Sequence, residues 1–273
     1  MKGTGISYGA VSVMNAIPCG IGSTIGIGLR TEVTFEDSEE KQILTIDHPD
    51  VGHSLAETCV RRTKERIGQD VDSKYRLEIR TEIPPSMGLK SSSSVSNAVI
   101  SAVLDAYGEK MDRMDIIRLG VECAKESHVT ITGAFDDACG CGLGGLVITD
   151  NSKNELLLRK EISEYDVVIC VPSEKIPKSK VPVERYRELS EKYRGMVPRI
   201  EDDFFGVLTE NGRYVDGIIG RPNGLAEKAL KEGALAAGVT GTGPATSVIV
   251  AKGEGERMAE ALGCNVILSR TRC

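Results

Sequence analysis

The sequence predicts a globular chain of interleaved strands and helices, and three observations carry that prediction. The 273 residues, 40% hydrophobic and 27% charged, are enough for one large core or two moderate ones. Alternating or apolar runs at residues 6–17, 25–35, 43–46, 75–83, 146–149, 166–171, 247–251 and 265–268 read as strands. Between them lie segments whose apolar residues return at helical spacing, at 55–67, 91–106, 112–127, 184–193, 200–210, 224–237 and 256–262.

The first strand enters a glycine-rich turn at 18–22 and is followed by a second. From Gly3 to Leu29 there is no charged residue in 27 positions, a length that would suit a membrane span. Yet 14 of the 27 are Gly, Ser, Thr, Asn or Pro, so the run is not continuously apolar. Lys2 is a thin basic region for a signal peptide, and Asn15 and Pro18 interrupt its apolar part. The expectation is a folded, cytoplasmic segment. Its glycines serve either close approach to a ligand or close packing of strands.

The chain is organised around Pro84-Pro85-Ser86-Met87-Gly88-Leu89-Lys90-Ser91-Ser92-Ser93-Ser94, which joins a strand to a helix. Two prolines end the strand because neither offers an amide to a ladder. Behind the serines, Val95, Ala98, Val99, Ala102, Val103 and Ala106 form one apolar face, and Gly108 can end the helix. Serine is a preferred N-cap, but capping needs one hydroxyl and this segment has four. A helix start with bare amides, surplus hydroxyls and Lys90 makes a cradle for polyphosphate.

Asp112 is suited to cap the next helix. After it, Asp136 and Asp137 stand on a loop among Phe135, Ala138, Cys139 and Gly140, and enclosed carboxylates need a partner such as a metal, a lysine or a substrate hydroxyl. Gly140-x-Gly142-x-x-Gly145 matches a dinucleotide fingerprint in letters only, since it precedes a strand. No Gly-Lys-Ser/Thr loop exists. A boundary is expected in the charged stretch 151–162. Residues 176–183, with Lys175, Lys178 and Lys180 in or beside them, read as an exposed loop. Thr240-Gly241-Thr242-Gly243-Pro244-Ala245, before a strand, is either a tight turn or the wall of a nucleotide site.

The net charge of −6 and pI near 5.3 leave no basic surface for nucleic acid or membrane, so an anionic ligand must be held locally. The eight cysteines lack C-x-x-C pairing, and His48, His53 and His128 show no zinc spacing, so reduced thiols without a thiolate metal site are expected.

Three motifs together resemble a known family. Pro84-x-x-x-Gly88-Leu89-Lys90-Ser91-Ser92-Ser93 is similar to the phosphate loop of the GHMP kinases, and the Thr240–Ala245 motif to their C-terminal glycine motif. Lys90 stands where most of that family has glycine. With Ser-Tyr8-Gly-Ala, Asn15-Ala16 and Thr-Gly133-Ala-Phe-Asp136-Asp137-Ala, the chain resembles the archaeal shikimate kinases, a branch in which that lysine is usual. The resemblance implies an α+β fold: residues 1–155 as an ATP-binding domain like the second domain of ribosomal protein S5, and residues 156–273 as a ferredoxin-like domain. It implies transfer of the ATP γ-phosphoryl group to the 3-hydroxyl of shikimate, in aromatic amino acid biosynthesis. Pro85, Ser86, Met87, Gly88, Leu89, Lys90, Ser91, Ser92, Ser93, Ser94, Gly241 and Gly243 would hold ATP. Ser92 and Glu126 would ligate Mg²⁺, and Tyr8, Asn15 and Asp136 would meet shikimate. Asp136 and Lys90 would be catalytic, although Asp137 is an alternative to Asp136. Another GHMP kinase, acting on homoserine, mevalonate or pantoate, and a non-catalytic metabolite sensor are the rival readings; oligomeric state is not fixed by the sequence.

Overall fold

The computed structural model describes residues 1–130, 133–174, 181–220 and 224–273. Strands β1 (Lys2–Met14) and β2 (Ile21–Asp37) form a long antiparallel pair, from Lys2↔Glu36 to Met14↔Ser23. In β1 alternate residues are buried up to Gly9, after which every residue to Met14 is buried. The change marks where β1 passes from a half-solvated face into the interior, and it explains the absence of charge. At Gly5 a Cβ would lie 2.0 Å from the carbonyl oxygen of Ala98, so this glycine serves packing of β1 on the helix Ser91–Ala106.

Strand β3 (Gln42–Thr45) runs parallel to β4 (Tyr75–Thr81), and helix α1 (Ser54–Arg66) connects them. Helix α2 (Ser91–Ala106) lies against β1, followed by α3 (Arg113–Glu126), whose first turn Asp112 caps by accepting from the Met114 amide at 2.8 Å. Helix α4 (Phe135–Leu143) leads into β5 (Leu146–Asp150) and β6 (Glu155–Lys160). The first sheet has the order β3-β4-β2-β5-β6, with β1 also on β2.

The second sheet, of order β10-β7-β9-β8, contains β7 (Asp166–Cys170), β8 (Ala236–Val239), β9 (Thr246–Val250) and β10 (Val266–Arg270), all antiparallel. Helices α5 (Val183–Arg187), α6 (Ser190–Met196), α7 (Phe204–Ile219), α8 (Gly224–Lys231) and α9 (Gly255–Leu262) complete it. One buried apolar cluster joins the sheets, with Val11, Ile25 and Leu89 from the first half and Val167, Ile169 and Ile249 from the second.

Four expectations need correction. The acids of 135–143 stand on a helix, not a loop, because Gly133 and Ala134 take positive φ and turn the chain into α4. The stretch 151–162, where the boundary is expected, also holds β6, an edge strand of the first sheet built on Leu156, Leu157 and Leu158 between charged neighbours. The expected helix at 224–237 stops at Lys231, where Gly233 at φ +94° breaks it before β8. The 184–193 segment divides into α5 and α6, and α7 begins at Phe204 on an Asp203 cap. The expected lysine loop at 176–183 lies mostly outside the described residues.

Candidate active site

A cleft of about 780 Å³ opens beside the start of α2 and is lined by the 45–56 segment, Pro84 to Ser86, Gly88 to Ser93, Asn15 to Ile17, Asp136, Asp137 and Gly241 to Gly243. The chain enters α2 without a serine cap. Lys90 occupies the N-cap in the left-handed region (φ +68°), and no side chain closes the first turn. The first serine amide with a backbone partner is that of Ser94, donating to the Lys90 carbonyl at 3.0 Å. The opening turn therefore presents amides, and the half-buried Ser91, Ser92 and Ser93, to the cleft. Positive φ at position 90 is the backbone reason glycine would suit it.

Lys90 is buried, and among the described lining residues it is the sole lysine or arginine. Its Nζ donates to Ser12 Oγ at 2.7 Å and forms an ion pair with Asp137 Oδ1 at 2.8 Å. Ser12 Oγ also accepts from the Gly241 amide at 3.1 Å, and the Ser12 amide donates to Thr240 Oγ1 at 2.9 Å. Thr240 Oγ1 in turn donates to the Gly88 carbonyl at 3.1 Å, and Asn15 Nδ2 donates to the Gly241 carbonyl at 2.8 Å. The glycine turn of the second half is thus stitched to the Gly88–Lys90 loop of the first through β1. Asn211, buried on α7, accepts from the Asn15 amide and from the Tyr193 hydroxyl.

The two adjacent acids differ in their surroundings. Asp137 keeps a side-chain exposure of 20% and faces Lys90. Asp136 is only 5% exposed; its Oδ1 accepts from Asn151 Nδ2 at 2.7 Å, and its Oδ2 packs over Gly22, where a Cβ would come within 2.4 Å. Burial, with the charge of Asp137, pushes the Asp136 carboxyl up to about 6, against the opposing pull of Lys90 and Asn151. The sign for stability follows. A carboxyl whose folded value is raised favours the fold most below its unfolded value, and that contribution fades as pH rises through about 6.

Other expected site residues fall elsewhere. Met87 packs in the core and Ser94 is fully buried; neither lines the cleft. The ring of Tyr8 lies under the Arg272 guanidinium, 4.4 Å from centroid to carbon, and the same guanidinium donates to the Cys141 carbonyl at 2.8 Å near the end of α4. Tyr8 is therefore part of a clasp on α4 and not of the cleft wall. Glu126, expected as a metal ligand, is exposed at the end of α3 and is ion-paired with Arg61 and Arg62 of α1. Among the described residues no group of three or more His, Cys, Asp and Glu is placed to hold a metal. Ser92 does line the cleft, and a magnesium ion bound chiefly by nucleotide phosphates needs few protein oxygens. Glu126→Gln is expected to leave the magnesium dependence of any phosphoryl transfer unchanged, and to lower stability by about 1 kcal/mol or less, as an exposed pair would. A magnesium titration and a thermal melt check it.

Residues that the sequence reading passed over include Ser12, Asn151, Asn211 and Arg272. Ser12 had a signal, a polar residue within the apolar run Ala10 to Met14. Asn151 had none beyond its place in a turn-like Asp-Asn-Ser-Lys.

Residues 54–145 match the GHMP kinases N terminal domain. Over 264 residues the chain is 40% identical to the shikimate kinase of Methanothrix thermoacetophila, covering 96% of this chain and 90% of that protein. It is 35% identical to the shikimate kinase of Pyrococcus furiosus over the whole of both. The solved mevalonate kinase of Methanococcus jannaschii superposes with a TM-score of 0.79 at 14% identity, over 100% of this chain and 98% of that one, a likeness of fold. Among the described residues no helix is long and apolar enough to cross a membrane.

Proposed function

Since the chain belongs to the shikimate kinases of the GHMP kinase family, we propose that it transfers the γ-phosphoryl group of ATP to the 3-hydroxyl of shikimate, giving 3-phosphoshikimate and ADP, in the cytoplasm. The observation that carries the reading is the Lys90 ammonium held between Ser12 and Asp137 at the open start of α2. Phosphoryl transfer demands positioning and charge neutralisation more than covalent chemistry, and this arrangement supplies both.

The triphosphate lies along the Gly88–Ser93 amides with the helix dipole behind it. Leu55, Ala56, Ile79 and Val95 in the cleft lining supply apolar surface that favours the aromatic base, and Asn15, Asp137 and Gly241 in the same lining supply polar groups for shikimate. Ser92, with the phosphates, would hold Mg²⁺, which neutralises phosphate charge when bound.

The acceptor hydroxyl meets Asp137. One oxygen of that carboxylate is engaged by Lys90, so the second remains to accept the hydroxyl hydrogen and orient the oxygen in line with the phosphorus. The Lys90 side chain stands beside the transferred group and offsets its charge. Asp136, held by Asn151 and seated over Gly22, supports the turn from which Asp137 projects.

The test is ADP formation with Mg·ATP in the presence of shikimate, homoserine, mevalonate or pantoate separately. Dependence on shikimate alone is the expected result. Dependence on another acceptor, or ATP binding without turnover for any of them, would overturn the substrate assignment.

A further inference from the structure

We propose that Asn151 is a positioning residue for the transfer: its side-chain amide grips Asp136 by backbone and carboxylate together, and so fixes the first turn of α4 from which Asp137 reaches Lys90. The proposal rests on the phosphoryl-transfer reading above. Asn151 lies directly after β5 and is buried, with its own amide donating to the Gly20 carbonyl at 2.8 Å. Its Oδ1 accepts from the Asp136 amide at 3.1 Å and from Thr149 Oγ1 at 2.8 Å, while its Nδ2 donates to Asp136 Oδ1 at 2.7 Å.

The orientation of this amide is forced. A backbone N–H can only donate, so the atom facing the Asp136 amide must be the oxygen, and the nitrogen must face the carboxylate. Helix α4 begins at Phe135 after Ala134 in the left-handed region, with no side-chain cap on its first turn. The Asn151 bond to the Asp136 amide takes the part that a cap would play, from a strand end instead of from the helix itself.

The grip also sets charge. The groups facing Asp136 are Asp137 and Cys139 on α4 and Lys90 at the start of α2. From β2 come Gly22 and Thr24, and Thr24 Oγ1 donates to the Asp136 carbonyl at 2.9 Å without adding charge. Burial and Asp137 favour the protonated acid, whereas Lys90 and the Asn151 donor favour the carboxylate. Removing the donor therefore moves Asp136 toward its neutral form at a higher pH. The lysine then has one carboxylate in place of two.

Asn151→Asp is the sharpest variant, since it keeps the acceptor for the Asp136 amide and sets a second carboxyl against Asp136. The expected result is a fall in kcat of roughly 10- to 100-fold with KM for ATP little changed, because small displacements at the reacting atoms cost that much. The acid limb of the kcat profile should move upward by about one pH unit or more. The exchanged double variant Asp136→Asn/Asn151→Asp restores one amide facing one carboxylate, and should recover the thermal stability and remove the shifted acid limb. An unmoved acid limb in a folded Asn151→Asp protein, or an exchanged variant that melts no higher than Asn151→Asp, would overturn the proposal. A carboxyl ¹³C NMR titration of Asp136 in the wild type and in Asn151→Gln reads the same grip without turnover. It should show the midpoint rising when the amide is moved one methylene away, and an unmoved midpoint would count against the proposal. A protein without shikimate-dependent ADP release would refute the substrate reading and leave this titration standing as the measure of the grip.

Discussion

Asp137→Asn is expected to lower shikimate-dependent ADP formation by about 10²- to 10⁴-fold, the span associated with loss of a positioned proton acceptor. Two effects coincide. The amide that replaces the carboxylate cannot accept the hydroxyl proton, and the Lys90 ammonium, 4% exposed, loses its partner at 2.8 Å. A buried charge left without its counter-ion is costly, about 3–5 kcal/mol when a pair is broken from one side. Asp137 is itself a fifth exposed, so water reaches the edge of the pair and the destabilisation should lie below that range. Lys90→Met is expected to lower turnover to a similar degree. The double variant should be no slower than either single variant, because a pair that acts as a unit is lost once. Initial rates of ADP release, beside thermal melts of the same preparations, separate chemistry from folding. If Asp137→Asn retains more than about a tenth of wild-type turnover while remaining folded, the carboxylate that meets the acceptor is not Asp137.

The line between what the sequence disclosed and what it hid follows the range of the interactions. The strand before Pro84, the apolar face of α2 and the Asp112 cap are written in local spacing, and the structure bears them out. Helix α4 was hidden, since Gly140 and Gly142 are poor helix formers; tertiary packing decides, with a Cβ at Gly140 meeting Thr24 Oγ1 at 2.2 Å. The serine-rich entry into α2 was legible because Gly88 to Ser94 are contiguous. The environment of Lys90 was not, for it is assembled from Ser12, Asp137 and Gly241, which lie far apart in the chain. Strand β8 escaped notice for a related reason: Ala236, Ala237 and Gly238 carry no strand preference of their own and are held by pairing with β9 and by close packing of Gly238 on Gly212.

Gly88→Ala tests the junction of the two halves, and here the expected loss is of stability and turnover together. Gly88 has φ +80°, and a Cβ at this position would lie 2.0 Å from the Thr240 carbonyl oxygen. The penalty has two parts, the left-handed conformation and the collision. Gly68→Ala isolates the first, because Gly68 has φ +67° with nothing within 4 Å of the added atom. That control should cost about 1–2 kcal/mol. Relief at Gly88 requires backbone to move, since the obstructing atom belongs to the turn that also holds Ser12 and the Gly88 carbonyl. A total of about 3–5 kcal/mol is expected, in the range reserved for severe steric faults. At roughly 2–4 °C per kcal/mol for a chain somewhat smaller than this one, the melting temperature should fall by about 10 °C. Any relaxation that separates the Gly88 loop from Thr240 also shifts Lys90, two residues further on, away from Ser12 and Asp137. Turnover should therefore be lost well below the melting temperature of Gly88→Ala, while Gly68→Ala retains full activity. Equal melting temperatures for the two variants would show that the junction yields without cost, and that the glycine turn of the second half does not hold the lysine in place.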